Sequence, residues 1–277
     1  MNRNLFARVA GTADPIRRFI ATRDGLRLTY GDALVLSGRM ANALVSAGVG
    51  VGHRVAVQVE KSAEAVILYL ACLRAGAVYL PLNTAYTPAE LAYFIADAEP
   101  RLIVVDPARR QDIAPLAGAA AIATLDAQGS GSMMDAIAGA SDDLVTVARD
   151  DGDPAAILYT SGTTGRAKGA VLSHGNLASN ALALVDAWRF TTDDVLIHAL
   201  PIYHTHGLFV ALNTVLLAGA AMILLLRFDA GAVVAAMSEA TVLMGVPTHY
   251  TRLLGYPGLT RQAAAGMRLF TSGSAPL

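Results

Sequence analysis

The residues best suited to chemistry lie together between Tyr159 and Gly169, where an apolar run ends and the chain reads TSGTTGRAKG over Thr160–Gly169. Gly162 and Gly165 permit positive φ, so backbone N–H groups can turn into one concavity that suits phosphate oxygens. Thr160, Ser161, Thr163 and Thr164 add hydroxyl donors. Lys168 adds a compact point charge suited to a polyphosphate. The plainer reading is a hairpin turn with a solvated lysine, but a turn alone does not call for so many donors in so short a span. The segment is not a Walker loop, because Ala167 precedes Lys168 and Gly169 follows it. Nor is it a dinucleotide fingerprint, which opens a helix; Gly169–Leu172 reads as a second strand. The spacing predicts a phosphate loop between two strands.

A second candidate group is the H-x-H pair His204 and His206. In an extended segment the two would share a face. A metal site would need a third ligand, and only His198 is spaced nearby, so no metal site is expected. His198 itself is expected to be a packed, hydrogen-bonded core residue. Cys72 lies in the apolar run ILYLACLRAG and reads as a packed thiol. Trp188 ends a helical apolar stripe and is expected in a core or at a rim. TSGSAP at Thr271–Pro276 lacks the G-x-S-x-G elbow of a serine hydrolase.

The elements that must hold these residues alternate. Strands are expected at His53–Val59, Ala77–Leu80, Leu102–Val105, Ala155–Tyr159, Gly169–Leu172, Val195–Leu200, Ala221–Leu226, Val242–Val246 and Met267–Thr271. Helices are expected at Gly31–Ala47, Ser62–Ala75, Pro88–Ala98, Gly175–Trp188, Leu208–Ala218, Ala230–Ser238 and Thr248–Leu254. Thr87-Pro88 places a capping residue before a proline at the first helical position. Gly48 and Gly219 stand where helices should end in a left-handed residue. The alternation implies a layered α/β fold with mostly parallel sheets. Gly129–Asp153, rich in Gly, Ser and Asp, is expected to be a surface connection, with lobes 1–150 and 151–277 on either side.

Composition closes off other classes. The 277 residues carry 21 Lys+Arg against 22 Asp+Glu, a formal charge of −1. Such balance does not suit nucleic-acid binding or a polybasic membrane contact. A hydrophobic content of 54% excludes intrinsic disorder for the body of the chain, and a single cysteine excludes an internal disulfide framework. Mean hydropathy is +0.47. The run Leu208–Leu226 has the length of a membrane span, but Asn213 and Thr214 interrupt it and Gly219 divides it into a helix and a strand. No secretory signal is read at the start, and a cytoplasmic location without membrane insertion is expected. Oligomeric state is not legible.

The loop TSGTTGRAKG resembles the signature of the acyl-adenylate-forming enzymes, the AMP-dependent synthetase and ligase superfamily. LTYGDAL (Leu28–Leu34), RAGAVYLPLN (Arg74–Asn83), LPIYHTHGL (Leu200–Leu208) and TSGSAPL (Thr271–Leu277) resemble further segments of that family. Within it, ILYTSGTTGRAKGAVLSHGNLASNA, LIHALPIYHTHGLFVALN and VLMGVPTHYTRLL are most similar to bacterial malonyl-CoA synthetases. The resemblance implies the layered αβαβα large domain, with the chain matching its N-terminal part only and lacking the C-terminal lid. It implies an ATP- and Mg²⁺-dependent acid–thiol ligase that joins a malonate-like dicarboxylate to coenzyme A as co-substrate. Thr160, Ser161, Gly162, Thr163, Thr164, Gly165 and Lys168 would hold the β- and γ-phosphates. His204 would lie beside the reacting carboxylate, and His206 would bond a polar acyl tail. Malonate's second carboxylate would need a cation, and Arg252 is the candidate, with Ser274 as a hydroxyl donor; a solvated helix face is the commoner fate of an arginine. Without the adenosine-binding segments that relatives carry beyond this point, little activity is expected of this chain alone. Alternatives are a ligase for acetate or methylmalonate, a kinase or NTPase using the same loop, and a non-catalytic nucleotide-binding fragment.

Overall fold

The computed structural model describes residues 2–160 and 167–276. Its strands are β1 (Arg18–Thr22), β2 (Arg27–Thr29), β3 (Arg54–Gln58), β4 (Val78–Pro81), β5 (Leu102–Val105), β6 (Ala121–Thr124), β7 (Pro154–Thr160), β8 (Lys168–Ser173), β9 (Val195–His198), β10 (Ala221–Leu224), β11 (Val242–Gly245) and β12 (Leu269–Ser272). The α-helices are α1 (Leu5–Thr12), α2 (Tyr30–Ser46), α3 (Ala63–Arg74), α4 (Pro88–Ala98), α5 (Arg110–Ile113), α6 (Ser132–Ala138), α7 (His174–Ala187), α8 (Asn213–Ala218), α9 (Ala230–Ala236) and α10 (Pro247–Leu254). The alternation gives the layered α/β class read from the sequence.

The chain divides into two compact units. The first takes Met1–Gly11 and Leu34–Ala178, and the second takes Thr12–Ala33 and Ser179–Leu277. These are not the lobes 1–150 and 151–277. The hairpin β7–β8 joins the first unit because β7 extends that unit's sheet beside β4, and β1–β2 joins the second because β1 pairs with β10. Gly129–Asp153 is not all connection, since α6 forms within it and buries Met133 and Ile137.

The first unit is built on a sheet ordered β6-β5-β3-β4-β7-β8. Its pairs are parallel except the last, β7–β8. The central strands β4 and β5 are buried at every residue, as expected of parallel strands covered on both faces. Helix α3 is buried from Ala65 through Leu73, so its uniform hydrophobicity reflects burial on all sides rather than a membrane. Cys72 lies inside that helix, and burial pushes its thiol well above the ordinary range. Helix α4 starts where Thr87-Pro88 requires. Thr87 Oγ1 accepts from the Glu90 N–H at 3.3 Å, and Glu90 Oε2 accepts from the Thr87 N–H at 2.8 Å, a reciprocal capping box.

The second unit carries a sheet ordered β12-β11-β9-β10-β1-β2, parallel but for the β1–β2 hairpin. The run Leu208–Leu226 divides as expected at Gly219, which takes φ 64° between α8 and β10. Among the described residues no helix is long and apolar enough to cross a membrane. Asp194 fixes the register of β9 against its neighbours. Burial raises its pKa, but Arg268 (2.6 and 2.7 Å) and the Thr241 hydroxyl (2.7 Å) outweigh that and hold the carboxyl below its usual value. Arg268 immediately precedes β12, so this ion pair ties the root of that strand to β9.

Two stability measurements follow. Asp194→Ala is expected to cost about 2 kcal/mol in urea unfolding: the half-exposed Arg268 keeps the Trp188 and Arg189 carbonyls, but two charge-assisted bonds and the acceptor of the Thr241 hydroxyl are lost. The second concerns His174, fully buried at the start of α7, whose Nδ1 accepts the Leu5 N–H at 3.1 Å. Burial first, and Arg149 next, lower its pKa to about 4. The folded state therefore keeps it neutral while the unfolded chain takes up a proton at about pH 6.5. Stability is expected to be flat above pH 6.5 and to fall by up to about 3 kcal/mol as pH drops to about 4. Urea titrations across that range should show the fall in the parent chain and a flatter profile in His174→Gln.

Candidate functional site

Strands β7 and β8 form a ladder from Pro154↔Ser173 to Thr160↔Lys168. The glycine-rich segment thus connects two antiparallel strands, so the expected strand on each side of it is found. Thr160 and Lys168, at the two ends, are both exposed. Ser161, Gly162, Thr163, Thr164 and Gly165 lie outside the described residues. Sheet register places the C-terminal ends of β3, β4 and β7 on one edge. Lys61 follows β3 on that edge and is buried, which lowers its ammonium well below the usual lysine range. Lysine occurs only at positions 61 and 168 among the chain's 21 basic residues. That scarcity was the sequence signal that could have drawn attention to Lys61.

The root of the hairpin rests on α4. The Tyr93 hydroxyl donates to the Ala167 carbonyl at 2.8 Å, and the Tyr159 hydroxyl donates to Asp97 Oδ2 at 2.5 Å. The Tyr159 ring packs against Phe94 at 4.4 Å between centroids. Sequence reading did not single out Tyr93 or Asp97, because the hydrogen bonds that give them meaning span 74 and 62 residues.

The second unit holds a groove of about 280 Å³. Asn180, Leu184 and Trp188 line one side; Thr205, His206 and Val210 line another; Thr271–Ser274 complete it. The segment carrying the histidines is not extended. Residues 202–204 form a turn, and His206 opens a π-helix, His206–Leu212, that runs directly into α8. The helix expected at Leu208–Ala218 therefore starts earlier, and His204 and His206 do not share a strand face. π-turns of this kind open a helix locally and are frequent where side chains must be re-aimed. Gly207 is required here, since any Cβ would collide with the Pro201 carbonyl. The Gly207 carbonyl meets Nε2 of buried His198 at 2.8 Å, so His198 is a packed structural histidine.

His206 and Ser274 come together across 68 residues, with Ser274 Oγ 3.1 Å from His206 Nδ1. Partial burial lowers the His206 pKa below its usual value, which favours a neutral ring at pH 7. Gly273 lets the chain pass close to that ring, where a Cβ would lie 3.3 Å from Cε1. Ser274 itself takes φ 67°, a left-handed value that costs a residue with a side chain. Two hydroxyls in the groove wall, Thr271 Oγ1 and Ser272 Oγ, are buried and have no hydrogen-bond partner among the described residues. Such groups are rare in a native interior unless a ligand or water completes them. Sequence reading named Ser274 but missed these two.

His204 is exposed in the turn, its ring edge-on to Tyr203 at 4.7 Å. Arg252, exposed on α10, is not among the residues lining the groove; its guanidinium sits 4.9 Å above the Phe228 ring, which stacks on His249 at 4.0 Å. The structure therefore joins His206 with Ser274 and leaves Arg252 on a separate stack. Among the described residues no group of three or more His, Cys, Asp or Glu is placed to hold a metal ion.

Comparison with known proteins bears on the whole chain. MatB from Rhodopseudomonas palustris superposes with a TM-score of 0.98 in its apo form at 58% identity, and 0.97 in its ATP-bound form at 59%. Both alignments cover 100% of this chain and 56% of MatB. A feruloyl-CoA synthase from Amycolatopsis sp is 32% identical over 264 residues, 91% of this chain and 50% of the relative. The malonate–CoA ligase of Arabidopsis thaliana is 33% identical over 250 residues, 82% of this chain and 41% of the relative. The chain thus spans about half the length of the curated relatives it matches. The model of the AMP-binding enzyme family matches residues 7–277, and the chain belongs to that family.

Proposed function

We propose that the chain forms the front part of an ATP-dependent acid–thiol ligase that activates malonate as malonyl-AMP and passes it to coenzyme A. The carrying observation is the β7–β8 hairpin, whose ladder ends by pairing Thr160 with Lys168 around the loop signature. The ATP-bound structure of MatB, at 59% identity, and the malonate–CoA ligase relative support the same reading.

In this reading the loop residues Thr160, Ser161, Gly162, Thr163, Thr164, Gly165 and Lys168 hold the β- and γ-phosphates. A carboxylate oxygen of malonate attacks the α-phosphorus, and the bond to pyrophosphate breaks. The thiol of coenzyme A then attacks the acyl carbon of the mixed anhydride and AMP leaves with the electron pair of the acyl–oxygen bond. The chain's own contribution is orientation and charge neutralisation of the departing pyrophosphate. No residue is assigned to Mg²⁺ or to coenzyme A.

The substrate carboxylates are assigned to the second unit. His204 attends the reacting carboxylate, and the groove of His206, Ser274, Thr271 and Ser272 takes the polar acyl tail. Arg252 supplies the balancing cation. Its present contact with Phe228 is no obstacle, because an exposed cation–π contact contributes about 0.5–1 kcal/mol, less than a charge-assisted bond to carboxylate at about 1.5–3 kcal/mol.

Calorimetry tests both halves separately. Lys168→Ala is expected to weaken ATP binding about tenfold or more and to leave malonate binding unchanged. Arg252→Ala is expected to weaken malonate about 10- to 100-fold and to spare acetate. Equal effects on malonate and acetate would move the assignment to a monocarboxylate ligase. Formation of ADP in place of AMP and pyrophosphate, in any assay that shows turnover, would refute the ligase reading.

A further inference from the structure

The hairpin that carries the phosphate loop joins the rest of its sheet on one side only, through β7 at Tyr79↔Ala156. β8 is the edge strand of its sheet, and its first four residues, Lys168–Val171, are exposed. A loop that must present donors to a polyphosphate needs both of its ends fixed, and the sheet alone fixes them from one side only. The fixing comes from α4. Tyr159 and Thr160 lead out of β7, and Ala167 and Lys168 lead into β8; Tyr159 and Ala167 are the two positions bonded to α4, to Asp97 and Tyr93 respectively. Tyr93 and Asp97 are four residues apart, so they stand one turn above the other on a single helix face.

The contacts exceed what packing requires. Phe94 and Tyr93 already cover the Tyr159 ring, at 4.4 and 6.1 Å between centroids. That ring also lies over Gly169, its register partner, where a Cβ would sit 3.4 Å from the ring carbons. Phenylalanine at 93 and 159 would pack equally well. The two hydroxyls add direction, and both are spent at the loop's ends. The helix that receives them is itself anchored. Its N-terminus is closed by the Thr87–Glu90 box, and the Ala98 and Glu99 carbonyls at its C-terminus accept from Arg54 at 2.6 and 2.8 Å.

We propose that Tyr93, Asp97 and Tyr159 form a clamp by which α4 sets the directions in which the phosphate loop leaves β7 and enters β8. They are positioning residues, whose effect would reach the nucleotide through the loop. The proposal rests on the reading of Thr160–Lys168 as a pyrophosphate grip.

The test is pyrophosphate affinity of the 277-residue chain, measured by calorimetry alongside thermal melting. Tyr93→Phe and Asp97→Ala are each expected to weaken pyrophosphate about 3- to 10-fold, with melting temperatures within about 2 °C of the parent. Asp97→Asn keeps an oxygen that accepts from Tyr159, and is expected to stay within twofold of the parent. A role in stability alone predicts affinity that follows melting temperature, without rescue by asparagine, and that pattern overturns the clamp. Should Asp97→Ala not fold, Tyr93→Phe decides, since it removes one oxygen and no packing. Lys168→Ala separates the two levels. If it weakens pyrophosphate while Tyr93→Phe and Asp97→Ala do not, the clamp is wrong and the grip stands. If it changes nothing, or the parent chain binds no pyrophosphate, the grip itself is wrong and the clamp falls with it.

Discussion

Thr160 and Lys168 face one another across the last rung of an antiparallel ladder, and the chemistry assigned to this chain depends on that pairing. Elsewhere in the same sheet each strand returns through a crossover, because parallel neighbours cannot be joined by a short turn. A hairpin at the sheet's end is a different solution. It brings both ends of a glycine-rich segment to within one strand spacing, on the edge where β3 and β4 also finish. The arrangement costs an exposed edge strand, a feature that invites non-native pairing. Retaining one there is understandable if the segment must remain reachable by a ligand that no buried strand could meet.

The division into two units follows from pairing rather than from sequence distance. Residues 12–33 precede most of the first unit yet fold with the second, since β1 finds its partner in β10, some 200 residues away. Nothing in RFIAT or RLT announces that. Both are short, both begin with arginine, and their burial is decided by a distant neighbour. The strands that were legible, such as β4 and β5, are buried on both faces, so their own composition records their surroundings. Helix ends were legible for a similar reason. Thr87-Pro88 and Gly48 act through backbone geometry within a few residues, and Gly48 does take φ 85°. The π-helix at His206 was not legible, because the sequence shows a proline and a glycine but not that the backbone at 207 passes the Pro201 carbonyl too closely for any side chain.

The candidate site divides along the same line. The loop stands out in the sequence because its residues are adjacent, with donors, glycines and charge within ten positions. The groove could only be guessed. Its members come from α7, the start of the π-helix and the stretch from the end of β12 to Ser274, and the bond between His206 and Ser274 closes over 68 residues. Arg252 illustrates the limit. Its residue type and helix suit a carboxylate partner, while its contact with Phe228 is given by no local pattern.

The groove's wall has a further property that bears on what it holds. A buried hydroxyl with no partner costs about 1–3 kcal/mol, and two stand side by side at Thr271 and Ser272. Next to them Ser274 keeps a left-handed backbone that an ordinary turn would give to glycine, although Gly273 is one position away. Unfavourable terms this close together persist when something else in the molecule's working cycle relieves them. An apolar acyl group would leave the hydroxyls bare and bury them further. Under the proposed reading a carboxylate tail would accept from them directly, and also from Ser274 and His206. In that reading the two unmet hydroxyls of Thr271 and Ser272 would disfavour an apolar tail and favour a polar one, alongside any cation brought to the site.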